Sequence, residues 1–208
     1  PRVLSITQAS ELGTVYTPDE VRCLAEAAHD RGWLLHMDGA RLANAAASLD
    51  LSLRAVTRDV GVDLLSFGGT KCGLLAGEVV LVFGEGLAPD MPYTRKQGMQ
   101  LASKMRFLSA QFLALLDDEL WRRMAQHANA MAQRLHEAIR DTPGVAISQP
   151  TQSNAVFARL PARTIERLQS EWRMVVWDAA TREVRMMAAW DTTPEDVDSF
   201  AAAIRAAG

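Results

Sequence analysis

The chain has 208 residues, 49% of them hydrophobic, which suffices for one substantial core or for one core plus a smaller domain. A formal net charge of −3 and a pI of 5.8 provide no basic surface for nucleic acid or anionic lipid. No apolar stretch approaches the roughly 20 residues of a membrane-spanning helix. Two cysteines and four scattered histidines assemble neither a disulfide framework nor a zinc site. These features favour a globular, cytoplasmic protein.

The first predicted elements form a strand, a helix and a second strand. The chain starts at Pro1 and enters an apolar run at 3–6 at once, so we expect that the beginning of the protein is missing. Thr17-Pro18-Asp19-Glu20 combines a capping hydroxyl, a proline at the first helical position and an acid at the third, which predicts a helix running to Gly32. The mostly apolar run at 33–37 predicts a parallel strand that ends at Asp38.

The next segments continue the alternation of helices and strands. Helices are predicted around 41–49 and 53–59, and strands at 63–67 and 78–83, with a glycine-rich turn that contains Lys71 between the two strands. A long helical region begins at about Asp90. This order predicts an α/β domain with a mainly parallel sheet.

The remainder predicts a different architecture. After a helix that ends near Pro143, four strands are predicted at 145–148, 154–160, 174–177 and 184–190, together with helices at 164–172 and after Thr193. Adjacent strands flanked by helices indicate a small α+β domain with a mainly antiparallel sheet. We place the boundary near Asp117, which gives a first domain at 1–117 and a second at 118–208.

Asp38 and Lys71 form the chief candidate site. Both follow buried strands, and neighbouring strands could bring them to one ligand. Pyridoxal phosphate requires a lysine for covalent attachment and a carboxylate that keeps its pyridine nitrogen protonated. Taken alone, Asp38 is more simply explained as a cap of the next helix and Lys71 as a solvated loop lysine.

The local sequence around these residues resembles a known family. HMDGARLANAA at 36–46 and SFGGTKCG at 66–73 are similar to the aspartate and lysine motifs of the threonine aldolases, a group of the fold-type I pyridoxal phosphate enzymes. TRKQGMQLASKMRF at 94–107 looks like the family's basic segment, and VRMMAAWDTT at 184–193 looks like its arginine strand. LSITQASELGTVYTPDEV at 4–21 also matches. The resemblance therefore spans essentially the whole chain.

The resemblance implies a role for six residues. Lys71 would hold the cofactor covalently, Asp38 would contact the pyridine nitrogen, and Arg41 would contact the phenolic oxygen. Arg185 would bind the substrate carboxylate, as suits a guanidinium. The remaining two, Arg95 and Lys96, look like the pair that reaches the cofactor phosphate from a neighbouring subunit, although a charged helix start is the commoner meaning of such a pair.

The implied activity is cleavage of L-threonine or L-allo-threonine to glycine and acetaldehyde in a homodimer or homotetramer with shared sites. The family's phosphate loop, ring-stacking histidine and proton-transfer group would precede residue 1, so we expect the 208-residue chain alone to be inactive. Two alternatives stay open. One is a related pyridoxal phosphate enzyme, such as a β-eliminating lyase, and the other is a non-catalytic scaffold that kept the fold.

Overall fold

The computed structural model describes residues 2–208, so Pro1, the first residue of the domain predicted at 1–117, lies outside the described residues. The chain forms two compact units. The first unit extends through Gln8 and resumes at Tyr16–Arg123, and the second consists of Ala9–Val15 and Met124–Gly208. Across the described residues, none of the helices has the length and apolar character needed to cross a membrane.

The first unit is built on a four-stranded sheet. Its strands are β1 (Val3–Thr7), β2 (Leu34–Gly39), β3 (Leu64–Gly68) and β4 (Glu78–Val82), and they lie side by side in chain order. β1, β2 and β3 are parallel, whereas β4 is antiparallel to β3. The predicted mainly parallel sheet is therefore confirmed.

The helices of this unit are α1 (Pro18–His29), α2 (Leu42–Ser48), α3 (Met91–Gln97), α4 (Arg106–Leu116) and the start of α5 (Leu120–Ile139). The predicted capping box of α1 is present. The helix predicted at 53–59 is wrong, because this segment forms turns that end in a 3-10 turn at Arg58–Val60. At the end of this segment the Thr57 carbonyl accepts from Val60 N and Val62 N, at 3.2 Å each. An α-helix would instead pair this carbonyl with the amide four residues further on.

The two faces of this sheet differ in chemistry. Alternate residues of β1 to β3 are buried apolar side chains, among them Met37 and Leu65, and α1 lies against β2 with its own buried stripe. On the other face of the strands, His36 Nδ1 lies 2.8 Å from Ser5 Oγ and His36 Nε2 lies 3.0 Å from Ser66 Oγ. His36 is therefore hydrogen-bonded through both ring nitrogens.

The second unit is built on an antiparallel sheet. Its strands are β5 (Ala146–Ile147), β6 (Ala155–Arg159), β7 (Val175–Asp178) and β8 (Glu183–Met187), in the order β5-β6-β8-β7. α6 (Ala162–Glu171), α7 (Pro194–Ala207) and the rest of α5 complete the unit. Apolar side chains of all three helices pack with those of β6 and β8 into one core. The predicted α+β architecture is confirmed.

Residues 9–15 form a short excursion of the chain into the second unit. Within that unit Ser153 Oγ donates to Gly13 O at 2.9 Å, and Val15 N donates to Gln152 Oε1 at 2.9 Å. Gln8 and Tyr16, on either side of the excursion, bind each other: Gln8 Nε2 donates to Tyr16 O at 2.8 Å and Tyr16 N donates to Gln8 Oε1 at 3.1 Å. The fully buried Gln8 side chain thus closes the base of the excursion.

Candidate active site

Asp38 lies near the carboxyl end of β2, between two parallel neighbours. Its register partners are Thr7 on β1 and Ser66 on β3. Asp38 Oδ1 accepts from Ala40 N at 2.9 Å, and Asp38 O accepts from Gln8 N at 2.8 Å. The first bond holds the half-buried carboxylate and the second holds the Asp38 backbone at the edge of the sheet, which is where ligands of parallel sheets bind.

Close packing fixes the backbone just after Asp38. A Cβ on Gly39 would lie 2.7 Å from Leu65 Cδ1 and 3.1 Å from Ser66 O, so a larger residue would have to displace the Leu65 side chain and would crowd the backbone of β3. Arg41 follows as the N-cap residue of α2 and is half-buried. The structure therefore places Asp38 and Arg41 on one short turn.

Lys71 lies in a loop that begins immediately after β3. We define the lysine loop as Gly69–Gly77. It closes on itself, because Gly69 N donates to Gly77 O at 3.0 Å and Gly77 N donates to Thr70 Oγ1 at 3.2 Å. Lys71 sits on a single 3-10 turn in this loop and is exposed, and it forms no ion pair within the described part of the chain.

The neighbour of the lysine, Cys72, is buried. Burial raises the pKa of the Cys72 thiol to about 11; the nearby Glu78 carboxylate adds to this rise and Lys71 partly offsets it. Glu78 is the first residue of β4 and pairs with Gly68, and Glu78 Oε2 would lie 3.0 Å from a Cβ on Gly68. A second carboxylate, which sequence reasoning missed, therefore borders the lysine loop.

The sheet brings Asp38 and Lys71 to the same edge. β2 and β3 are adjacent and parallel, and both residues lie at or just beyond the carboxyl ends of these strands. An exposed amine without an ion pair and a carboxylate fixed at the sheet edge are the donor set that a pyridine aldehyde cofactor requires. The residues present therefore fit pyridoxal phosphate.

The other predicted site residues of the first unit lie on α3. Arg95 and Lys96 are both exposed, and they belong to the last turn of that helix, where cations also suit the helix dipole. The structure records no ion pair of either residue among residues 2–208. Their role in phosphate binding stays a prediction.

Arg185 lies on β8 in the second unit, between Phe157 on β6 and Val175 on β7. Its guanidinium carbon is 4.7 Å from the centre of the Trp177 ring, and Trp177 meets Phe157 edge-on at 5.7 Å. Arg185 Nε is buried and has no hydrogen-bond partner among the described residues. A buried donor without an acceptor is costly, so this atom suits an incoming anion.

The second unit also contains a cavity of about 260 Å³ bordered by α5, α7 and the ends of β7 and β8. Apolar side chains dominate its lining, including Met131, Trp172 and Phe200. Its lining residues include no lysine, so this cavity lacks the group that would attach the cofactor.

Within the described residues, no three His, Cys, Asp or Glu side chains cluster in a way that could hold a metal ion.

Besides Glu78, two supporting residues were not predicted from the sequence. Gln8 donates its backbone amide to the Asp38 carbonyl, but in the sequence it is only a single polar residue after an apolar run. Trp177, on which Arg185 stacks, reads as part of an apolar strand. The sequence does hold a signal for Gln8, because it is a polar residue directly after β1, the strand beside the Asp38 strand. Nothing in the sequence pattern marks Trp177.

Comparison with known proteins gives consistent matches. The chain is 45% identical over 206 residues to a low specificity L-threonine aldolase of Pseudomonas aeruginosa and 44% identical to one from a Pseudomonas species, each match covering 99% of this chain. The solved Leishmania major threonine aldolase superposes with a TM-score of 0.90 at 28% identity, over 99% of this chain and 61% of that one. These matches confirm the predicted fold-type I class.

The chain spans about three-fifths of the length of these relatives, 59% and 60% of the two Pseudomonas proteins. The family model described as beta-eliminating lyase matches residues 1–161, which is most of the chain and includes both Asp38 and Lys71. With this match and the arrangement at the sheet edge, the chain belongs to the beta-eliminating lyase family.

Proposed function

We propose that the protein at its natural length cleaves L-threonine or L-allo-threonine to glycine and acetaldehyde, with pyridoxal phosphate held covalently by Lys71. The observation that carries the proposal is the placement of Asp38 and Lys71 after two adjacent parallel strands. The names of the two Pseudomonas relatives and of the Leishmania protein support the choice of threonine.

The cofactor follows from the family. Threonine aldolases and beta-eliminating lyases of this fold depend on pyridoxal phosphate, which confirms the cofactor predicted from the sequence. When bound, this cofactor supplies an electron sink that allows a bond at the substrate Cα to break. The protein selects which bond breaks through the groups that bind and orient the substrate.

In the first unit, three residues would bind the cofactor. Lys71 would bind it through Nζ and give way to the substrate amine. The Asp38 carboxylate would hold a proton on the pyridine nitrogen, since an adjacent negative charge favours the protonated form. Arg41, three residues beyond Asp38, would lie beside the phenolic oxygen and stabilise negative charge there.

In the second unit, Arg185 would bind the substrate carboxylate. A guanidinium can donate two parallel hydrogen bonds to a carboxylate, which fixes the orientation of the amino acid as well as its position. The buried Arg185 Nε, which lacks a partner in the described part of the chain, supports this role because the substrate would satisfy it. An oriented carboxylate determines which bond at Cα is aligned for cleavage.

We further propose a homodimer or homotetramer in which Arg95 and Lys96 reach the cofactor phosphate of a neighbouring subunit. Their exposure on α3 supports the idea, since two adjacent cations without an ion pair among residues 2–208 can meet a dianion from another subunit. The cytoplasm is the location we propose, because both cysteines are free thiols.

The test compares the protein at its natural length with its Lys71→Ala variant. Wild type should gain a visible absorption band with pyridoxal phosphate and release equal amounts of glycine and acetaldehyde from L-threonine, whereas Lys71→Ala should lose both properties. Arg58→Ala, which removes an exposed cation of the same unit outside the motifs named above, is the control and should behave as wild type.

The products separate the remaining candidates. The family model is described as beta-eliminating lyase, which favours elimination as the second candidate. Pyruvate and ammonia from a β-substituted amino acid, without acetaldehyde from threonine, would replace aldol cleavage by elimination. No visible band in wild type would remove the cofactor role of Lys71 and leave the scaffold alternative.

A further inference from the structure

Helix α4 contacts the lysine loop at two points that no assigned role explains. Leu75 N donates to Gln111 Oε1 at 3.0 Å, so a backbone amide of the loop is bound by a side chain of the helix. The Leu75 side chain itself is 91% exposed, which means that this loop residue is held by its backbone and not by apolar packing.

The second contact is made by the ring of Phe112. A Cβ on Gly69 would lie 2.9 Å from Phe112 Cζ, and a Cβ on Gly77 would lie 2.8 Å from Phe112 Cε2. The ring therefore packs against both ends of the lysine loop, where only glycine leaves enough room. It also lies 6.2 Å from the ring of Phe67 on β3, centre to centre, which ties the helix to the strand that precedes Lys71.

The position of Gln111 on α4 shows that this contact is built into the helix. The residues at helical spacing 108, 111, 112 and 115 form the less exposed stripe of α4, and Gln111 is the polar member of this stripe. Its Nε2 donates to Phe107 O at 3.2 Å, which fixes the amide so that Oε1 points to Leu75 N. A polar side chain on an inward stripe needs such partners.

We propose that Gln111 and Phe112 are positioning residues for Lys71, which hold the lysine loop closed while the cofactor is attached. This inference rests on the proposed role of Lys71. Release of a cofactor bound to Lys71 requires water to cleave its bond to Nζ, which regenerates the lysine amine and the cofactor aldehyde. A loop held in one conformation keeps Nζ beside that aldehyde so that the bond re-forms, and loosening the loop should therefore accelerate release. Neither residue contacts the substrate in this proposal.

The test uses amide hydrogen exchange on the protein at its natural length with pyridoxal phosphate bound. In Gln111→Leu the Leu75 amide should exchange about five- to tenfold faster, since one hydrogen bond is lost. Dissociation of pyridoxal phosphate, followed as loss of the visible band in the presence of a cofactor scavenger, should accelerate by a similar factor. Phe112→Leu should instead accelerate exchange at Gly69 N.

Two further variants separate positioning from a general loss of structure. Gln111→Glu keeps an oxygen acceptor for Leu75 N and should restore most of the protection and the slow release. Leu113→Ala, which truncates a side chain that is 73% exposed on the same helix, should change neither. Unchanged exchange at Leu75 in Gln111→Leu, or faster exchange without faster cofactor release, would overturn the proposal.

These measurements need no substrate. If exchange and cofactor release respond as expected but threonine is not cleaved, the aldolase proposal fails and the positioning role stands. If threonine is cleaved but Gln111→Leu behaves as wild type in both measurements, the positioning role fails alone.

Discussion

At the scale of single residues, the lysine and the cysteine beside it occupy opposite environments. Lys71 is exposed, whereas Cys72 is 4% exposed and has a pKa raised to about 11 by burial. A thiol whose pKa is raised this far stays almost entirely protonated at neutral pH, which disfavours attack by its sulfur. The structure therefore favours packing over chemistry for Cys72.

The environment of Cys72 leads to a labelling prediction. At pH 8 a thiol-specific alkylating reagent should modify exposed Cys23 and leave Cys72 unmodified in the folded protein, as mass spectrometry would show. Denatured protein, in which both cysteines react, is the control. Rapid modification of Cys72 in the folded protein would contradict the burial described here.

The same pKa predicts a loss of stability in base. The folded value of about 11 lies above the ordinary value of 9.0, so burial of the neutral thiol favours folding below pH 9. This contribution is lost as the pH rises from 9 towards 11. Cys72→Ala should therefore unfold with a weaker dependence on pH in that window than wild type, while Cys23→Ala should keep the wild-type dependence.

Trp177 is the residue that we expect to hold the guanidinium of Arg185 in place, since the two side chains are stacked at 4.7 Å. A cation over an indole is stabilised by about 0.5 to 2 kcal/mol, depending on exposure. In the protein at its natural length, Trp177→Leu should therefore raise KM for the proposed substrate threonine about three- to tenfold with a smaller change in kcat. Trp190→Leu, which replaces a tryptophan that is 42% exposed, is the control. An equal effect of both changes would argue against a specific stack.

At the scale of elements, α1 and α7 share one way of starting. Each begins with a threonine followed by proline, and in each the threonine hydroxyl accepts from the backbone amide of the third helical residue, whose carboxylate accepts from the threonine amide. Because the signal is local in sequence, these two helix starts could be predicted correctly.

Removing the Thr17 cap of α1 should lower the free energy of unfolding. Thr17→Ala should lower the free energy of unfolding by about 1 kcal/mol, because it leaves a backbone amide of α1 without its acceptor. Thr17→Ser should restore most of this loss. Glu26→Ala, in the exposed middle of α1, should change stability by less than about 0.5 kcal/mol. Thermal unfolding of the three variants beside wild type measures these differences.

At the scale of the whole molecule, the sequence predicts what depends on local signals. The strands that lead to Asp38 and Lys71 are apolar runs with clear ends, and the motifs at 36–46 and 66–73 lie at the sheet edge. The motifs at 94–107 and 184–193 begin on α3 and on β8, and the roles of their cations stay predictions. The order of elements was sufficient to predict a mainly parallel sheet followed by a mainly antiparallel one.

Features that depend on residues far apart in the chain could not be predicted. Gln111 and Leu75 are 36 residues apart, and Glu78 reaches Gly68 only because β4 returns antiparallel to β3. The stacking of Arg185 on Trp177 needs the pairing of β7 with β8. At 53–59 the helix prediction failed, and the Thr57 carbonyl accepts from the amides three and five residues further on in place of the one four residues on that an α-helix uses.

The excursion at residues 9–15 has a consequence for dividing this protein into parts. The second unit is not one continuous piece of sequence, because seven of its residues precede the first helix of the other unit. A polypeptide starting at Met124 would lack the Gly13 carbonyl, so the hydroxyl of the buried residue Ser153 would lose that acceptor. To transfer this unit intact into another protein, a recombination event would therefore have to move two separate segments of the gene, one for residues 9–15 and one for residues 124–208.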